Sequence, residues 1–148
     1  MDPILDVRNL QTHFFTKAGV LKAVDGVSFQ IGAGEIVGLV GESGSGKSIT
    51  GFSILGLVDA PGRIVGGEIL FSGRDLTKLP PAEIQKMRGS RIAMIFQDPM
   101  MTLNPVLRIE TQMTEAIQTH DSSVSKDEAR QRSRDALGMV GISSPGER

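Results

Sequence analysis

The sequence predicts an α/β fold, and three observations support that prediction. Residues 35–40 form a short apolar run with β-branched members, typical of a buried strand. A glycine-rich turn follows at residues 41–46, and residues 49–58 are then long enough for about three helical turns. The first third of the chain is rich in further β-type segments. We therefore expect antiparallel β-structure that feeds one parallel strand, followed by helices.

Length and composition bound the class of protein. The chain has 148 residues, the usual size of one domain, with 39% hydrophobic and 22% charged residues, as in globular proteins. A net charge of −1 gives no support to nucleic-acid binding through a basic face. The chain has no cysteine, which excludes disulfides, thiolate zinc sites and cysteine nucleophiles.

The sequence shows no membrane or export signal. Its start lacks a basic region followed by an apolar one, so no secretory signal is predicted. No apolar run approaches the ~18 residues that span a bilayer. We expect a cytosolic protein whose membrane role, if it has one, comes through a partner.

The β-rich first part is predicted as three strands. Residues 5–15 alternate in part and predict the first strand, and residues 20–24 and 27–31 predict two more. Asp25-Gly26 between the last two is typical of a hairpin turn. After the first helix, residues 67–73 predict a strand and turn.

The second half changes from β to helical patterns. Residues 80–89 predict a short helix, with proline in the first turn and glycine after the end. Residues 91–96 predict an apolar strand that ends at Gln97-Asp98-Pro99. Beyond Pro105 the pattern is helical. Residues 125–128 form a capping box, an apolar stripe runs through Ala129, Ala136, Leu137 and Val140, and residues 143–148 form a terminal loop.

Residues 41–48 match G-x-x-x-x-G-K-[ST], the phosphate-binding loop, and we call them the phosphate loop. Glycines allow the backbone to turn with positive φ and to approach an anion closely. The loop amides and the positive end of the following helix then favour phosphate. Lys47 can reach the β- and γ-phosphates, and the Ser48 hydroxyl can ligate Mg²⁺. The predicted nucleotide-binding residues here are Gly41, Glu42, Ser43, Gly44, Ser45, Gly46, Lys47, Ser48 and Ile49.

Gln97 is a second candidate for chemistry. A glutamine at the end of a strand is most often a turn residue that satisfies backbone groups. With a phosphate loop about fifty residues earlier, its amide oxygen can instead ligate Mg²⁺ or position water beside a γ-phosphate.

These segments resemble the ATP-binding cassette (ABC) ATPases, and within them the ATP-binding subunits of oligopeptide and dipeptide importers. The resemblance is carried by residues 41–48 and 95–105, with support from 23–29 and 140–142, and it covers essentially the whole chain. It implies a P-loop NTPase core with an N-terminal antiparallel β subdomain, the start of a helical subdomain, and an incomplete sheet. Residues 1–105 then belong to the core and 106–148 to the helical subdomain.

The resemblance also implies roles for individual residues, with ATP and Mg²⁺ as cofactors. Residues 41–48 bind the phosphates and the metal, and Gln97 is the glutamine that reaches Mg²⁺ and acts with Lys47 in catalysis. An aromatic ring stacks on adenine, for which Phe14 is preferred over Phe15. The alternative for both rings is ordinary core packing.

The implied partners are proteins rather than nucleic acid. The family pairs head-to-tail with a second ATPase subunit around two nucleotides and drives transmembrane permease subunits. The protein would therefore be peripheral, on the cytoplasmic face of the inner membrane. Residues 98–105 and the following helical segment are the expected contact surface for the permease.

Three elements of complete ABC ATPases do not occur in the 148 residues: the signature segment, the apolar strand ending in Asp-Glu, and a later histidine. Phe71-Ser72-Gly73-Arg74 is interpreted as a hairpin turn, and His13 and His120 as surface or packing residues. We therefore expect the N-terminal part of a longer subunit, with ATP turnover near background. An unpaired apolar strand edge should leave the chain alone oligomeric, strand-swapped or poorly stable.

Two other interpretations remain open. The first is a truncated or degenerate ATP-binding module without catalysis, with a regulatory or assembly role. An Asp-Glu pair later in the parent reading frame would favour the ATPase, and a natural stop after Arg148 would favour the module. The second is an unrelated phosphate-loop kinase or GTPase, which Gln97-Asp98-Pro99 and the missing Asn-Lys-x-Asp motif disfavour. The transported solute stays undetermined.

Overall fold

A computed structural model describes residues 2–98, 102–144 and 146. The chain forms two compact units, Met1–Ala93 and Met94–Arg148. Among the residues described, no helix combines the length and apolar character needed to cross a membrane. The predicted division into residues 1–105 and 106–148 rests on the family resemblance, and it stays a prediction.

The strands of the first unit are β1 (Leu5–Thr16), β2 (Gly19–Ile31), β3 (Gly62–Phe71) and β4 (Arg74–Asp75), and its helices are α1 (Lys47–Ile54) and α2 (Pro81–Met87), with a 3₁₀ turn over Leu76–Lys78. The strands form one antiparallel sheet with the order β2-β1-β3-β4. Ile49 and Ile54 of α1 pack against its apolar core, which consists of Leu5, Val7, Leu10, Val24, Ile69, Phe71 and Leu76. The antiparallel β start and both predicted helices are confirmed.

The predicted hairpin at Asp25-Gly26 is wrong, because β2 runs through these residues without a break. The turn between β1 and β2 lies at residues 17–18 instead. Gly26 has φ +84°, and the pairing shifts there from Leu10 opposite Val27 to Gln11 opposite Asp25. These features mark a β-bulge. An Asp-Gly pair serves a bulge as well as a hairpin turn, because both require a residue with positive φ.

The predicted turn at residues 71–74 is confirmed. Ser72 and Gly73 have φ of +47° and +79° and join β3 to β4. Two consecutive residues of positive φ match the twist of the flanking strands, as in a type I′ hairpin. The local backbone geometry therefore explains why a serine and a glycine stand at this turn.

The two predicted apolar strands at residues 35–40 and 91–96 are not formed. Residues 35–40 pair with no described segment, and the side chains of Ile36 and Val40 are 98% and 91% exposed. In the other run, only an isolated parallel bridge joins Arg88 to Ile92. A strand needs a neighbour for its N–H and C=O groups. An apolar, β-branched composition alone is therefore insufficient to predict a strand.

The second unit is a helical hairpin of α3 (Ile109–His120) and α4 (Lys126–Met139). The buried residues between the helices are Thr114, Val124, Ala129 and Ser133. Ser125 caps α4 by accepting the Glu128 N–H at 3.2 Å, which confirms half of the capping box. The Glu128 carboxylate bonds Arg132 instead of returning to the cap.

One predicted feature of the second unit is wrong, and others lie partly outside the described residues. The apolar stripe is wrong at Val140, which is 73% exposed beyond the end of α4. Residues 99–101 of the predicted contact surface lie outside the described residues, as do Pro145, Glu147 and Arg148 of the predicted terminal loop.

Candidate nucleotide-binding site

The phosphate loop lies at the N-terminus of α1, as the motif predicts. Gly44 and Gly46 have φ of +80° and +91°, and Gly46 is the N-cap of the helix. Its carbonyl accepts the first helical bond from the Thr50 N–H at 2.8 Å and a second from the Thr50 hydroxyl at 3.0 Å. The loop thus ends in a fixed helical turn whose positive end faces the loop.

Two of the glycines lie close to neighbouring atoms, a movable hydroxyl at Gly41 and a backbone carbonyl at Gly46. A Cβ at Gly41 would lie 2.5 Å from Ser45 Oγ, and a Cβ at Gly46 would overlap the backbone carbonyl of Ala23 in β2. Gly44 differs, because a Cβ there would meet nothing within 4 Å. Steric need for glycine is therefore strongest at Gly46, where positive φ and backbone contact coincide.

The ammonium of Lys47 is turned back onto its own loop. Its Nζ donates to the carbonyls of Gly41 at 2.8 Å and Glu42 at 2.6 Å, and lies 3.3 Å from Ser45 Oγ. An ammonium has three donors, so these acceptors engage all of them. The loop is closed around a positive charge, and a phosphate must compete with its own carbonyls for Lys47.

The remaining loop residues divide by exposure. Glu42, Ser43, Ser45 and Ser48 are exposed, so the Ser48 hydroxyl is open to a ligand. Ile49 is half-buried and packs on the apolar core of the sheet. Its side chain therefore holds the helix end in place, and only its backbone is free to face a nucleotide.

Polar contacts that the sequence did not reveal hold the C-terminal end of α1. Thr12 Oγ1 in β1 lies 2.8 Å from Ser53 Oγ in the last turn of the helix, and both residues are buried. At the same end, Arg88, which caps α2, donates from Nε to the Leu55 carbonyl at 2.7 Å and from Nη2 to the Gly56 carbonyl at 2.5 Å. These partners are 32 to 41 residues apart in sequence, so no local pattern signals them.

The two candidate adenine-stacking rings have different surroundings. Phe14 is half-buried, and a Cβ on Gly62 would lie 2.6 Å from its Cε1 and 2.8 Å from Val58 Cγ1. Phe15 is more exposed, and the Arg63 guanidinium lies 4.2 Å from its ring centroid, a cation–π contact. Phe14 is therefore packed against Gly62 at the start of β3. The stacking assignment stays a prediction.

Gln97 belongs to the second compact unit, where it is exposed in a bend. The structure thus describes the phosphate loop and Gln97 each within its own unit. His13 is mostly buried, with Nε2 3.7 Å from Asp25 Oδ1, and His120 is exposed at the end of α3. Both histidines have the packing or surface positions that were expected.

A metal at the phosphate loop would depend on oxygen ligands other than a carboxylate cluster. Among residues 2–98, 102–144 and 146, no group of three His, Cys, Asp or Glu side chains could hold a metal ion. A hydroxyl and an amide oxygen suit Mg²⁺, which is usually completed by substrate phosphates and water. The Ser48 hydroxyl in the first unit and the Gln97 amide in the second are each an oxygen of this kind.

The family model and the sequence relatives that match this chain are described as transporters or transport proteins. The family model described as "ABC transporter" matches residues 24–147. The chain is 51% identical over 144 residues to the oligopeptide transport ATP-binding protein AppD of Bacillus subtilis, covering 97% of this chain and 44% of that protein. It is 46% identical over 148 residues to a probable peptide ABC transporter ATP-binding protein, y4tR, of Sinorhizobium fredii, covering 99% of this chain and 44% of that one.

The fold is also similar to solved structures. The dimeric structure of MJ0796, a bacterial ABC transporter cassette, matches 91% of this chain and 56% of that chain, with a TM-score of 0.79 and 25% identity.

A third relative by sequence is the dipeptide transport ATP-binding protein DppD of Escherichia coli, which is 43% identical over 145 residues, covering 98% of this chain. The chain spans 44% of the length of each curated relative described here.

Proposed function

The chain belongs to the ABC transporter family, and on that premise we propose that it is part of an ATPase subunit that couples ATP binding and hydrolysis to the uptake of oligopeptides or dipeptides. The solute class is supported by the names of the relatives, which are oligopeptide and dipeptide transport ATP-binding proteins. The single observation that carries ATP binding is the phosphate loop, with its two crowded glycines and its lysine at the start of α1.

In this proposal the nucleotide tail is held by the loop backbone and by Lys47. Arrival of phosphate gives the Lys47 ammonium a full negative charge in place of neutral carbonyls, which favours its release from the Gly41 and Glu42 carbonyls. The half-buried Phe14 supplies an aromatic face for adenine. The role of these residues is binding and orientation of the phosphates, the main contribution of the protein to phosphoryl transfer.

The Ser48 hydroxyl and the Gln97 amide oxygen are the proposed Mg²⁺ ligands. The ion neutralises the charge that develops on the phosphates when it is bound. Gln97 is also the proposed catalytic partner of Lys47. Its exposed position in a bend lets its amide change partners when phosphate leaves.

The proposed partners are a second ATPase subunit and the transmembrane permease subunits, at the cytoplasmic face of the inner membrane. Pairing is supported by the dimeric structure of the similar cassette. We also propose that residues 1–105 act as the catalytic core part and residues 106–148 as the start of the helical subdomain, the part that meets the permease.

Replacement of Lys47 by alanine tests the proposed binding function. We expect the affinity for MgATP to fall by more than tenfold, about 1.4 kcal/mol, because the ammonium that would pair with the phosphates is lost together with the contacts that close the loop. Binding is measured by titration with a fluorescent ATP analogue. Lys126→Ala is the matched control, since Lys126 is also the first residue of a helix. An equal effect of the two substitutions, or a loss below tenfold, would contradict the proposal.

Turnover is a separate matter, because the 148 residues contain no apolar strand ending in Asp-Glu. Without that pair, the chain has a phosphate cradle but no general base for water. We expect phosphate release by the isolated chain to stay at background in a malachite-green assay, even where MgATP binds. Robust turnover that Lys47→Ala removes would overturn this expectation.

A further inference from the structure

A short loop before α3, residues 102–107, displays apolar side chains to solvent. Leu103 is 44% exposed, Val106 87% and Leu107 43%, and we call these three side chains the apolar ridge. Surface loops are usually polar, because exposed apolar groups gain nothing from water. A ridge of this kind therefore needs an explanation beyond the chain connection.

The backbone under the ridge is fastened by one side chain from the first turns of α3. Gln112 Oε1 accepts the Asn104 N–H at 2.8 Å. Its Nε2 donates to the carbonyls of Asn104 at 3.0 Å and Leu107 at 3.1 Å. Asn104 adds a further bond, since its Oδ1 accepts the Val106 N–H at 2.9 Å.

This arrangement uses the full chemistry of a glutamine amide. Both N–H donors of Nε2 are engaged and Oε1 accepts one N–H, so a carboxylate of the same shape would lose two bonds and face two carbonyl oxygens. The loop is consequently held in one conformation although its side chains point to water. Such rigidity lowers the entropic cost of binding a partner.

The charge beside the ridge indicates the chemistry of that partner. Arg108 follows Leu107, is exposed, and forms no ion pair within the residues that the structure describes. The nearest acidic residue in sequence, Glu110, is instead paired with Arg130 at 3.0 Å and Arg134 at 3.8 Å. The ridge therefore ends in an unmatched positive charge, which suits an apolar segment that carries a carboxylate.

We propose that Gln112 is a positioning residue whose amide holds the apolar ridge ready to receive a cytoplasmic segment of the membrane subunit, apolar on one face and bearing a carboxylate that pairs with Arg108. This inference rests on the proposed function, because the membrane subunit is the partner named there. The new element is the set of three hydrogen bonds from the Gln112 amide to the loop, which we call the clamp. The clamp lies outside the nucleotide site and acts only through the loop that it holds.

The test uses the full-length subunit and two measurements. Hydrogen exchange of a peptide that covers residues 102–110 reports the clamp, and binding to the detergent-solubilised membrane subunits reports the ridge. For Gln112→Glu we expect exchange to rise and affinity to fall, each by roughly tenfold, with ATP affinity unchanged. Val106→Ser should weaken binding while exchange of the Asn104 amide stays slow. Gln131→Glu is the control, since Gln131 is an exposed helical glutamine whose amide donates to Asp135 on its own helix.

The outcomes separate the clamp from the proposed function. Fast exchange of the Asn104 amide in the unsubstituted protein, or unchanged membrane-subunit affinity in Gln112→Glu, overturns the positioning role. Failure of the unsubstituted subunit to bind any membrane subunit overturns the proposed function and the occupant together. Loss of binding in both Gln112→Glu and Val106→Ser, with faster exchange in the first alone, supports the proposal.

Discussion

Replacing Gly46 by alanine is expected to abolish measurable MgATP binding and to lower the free energy of unfolding by about 2–4 kcal/mol. Gly46 has φ +91°, a conformation that costs an alanine about 1–2 kcal/mol. The added Cβ would also overlap the Ala23 carbonyl, which belongs to β2 and has little freedom to move. Either the strand or the phosphate loop must shift, and the loop is the less supported of the two.

Two other glycines separate the causes of that effect. Gly44→Ala has positive φ without any neighbour within 4 Å, so we expect a loss of about 1 kcal/mol and a smaller change in affinity. Gly138 lies in α4, and a Cβ there would meet nothing within 4 Å. Gly138→Ala should therefore stabilise the chain by about 0.5–1 kcal/mol. Urea unfolding followed by circular dichroism and titration with a fluorescent ATP analogue measure the series. Equal effects at Gly44 and Gly46 would show that backbone overlap with Ala23 is unimportant.

The phosphate loop could be predicted from sequence because its determinants are local. Glycines fix the turn, and Gly46 and Thr50 start the helix within one turn of each other. The same holds for the hairpin at Ser72-Gly73, where two adjacent residues of positive φ decide the geometry. Patterns of this kind carry their own physical cause within four to eight residues.

Features that depend on distant partners could not be predicted. The Thr12–Ser53 contact and the bonds from Arg88 to the end of α1 join segments more than thirty residues apart. The bonds from Lys47 to the loop carbonyls also escaped prediction, because the motif describes the lysine only in relation to phosphate. The prediction at Asp25-Gly26 is wrong for a different reason. An Asp-Gly pair suits either a hairpin turn or a β-bulge, and the pairing of β2 with β1 decides between them.

The apolar run at residues 36–40 leads to the second large expected effect, the self-association of the 148-residue chain. Ile36 and Val40 are almost fully exposed, and Val37 and Leu39 are 41% and 48% exposed. Three of its five residues are β-branched, the run is uncharged and free of proline, and its backbone has no ladder partner among the described residues. Segments of this type pair with copies of themselves. We therefore expect light scattering to show oligomers of the unsubstituted chain at micromolar concentration.

The double substitution Ile36→Lys and Val40→Lys should convert these oligomers to monomers. Both side chains already lie in water, so the change removes no packing from the folded unit, while two positive charges oppose alignment of a second copy. Met139→Lys is the control, because Met139 is 83% exposed at the end of a helix rather than in an extended run. If Met139→Lys dissolves the oligomers equally, general solubility explains them. A clean monomer of the unsubstituted chain would instead show that exposure of this run is tolerated without pairing, and the strand-edge argument would then be wrong.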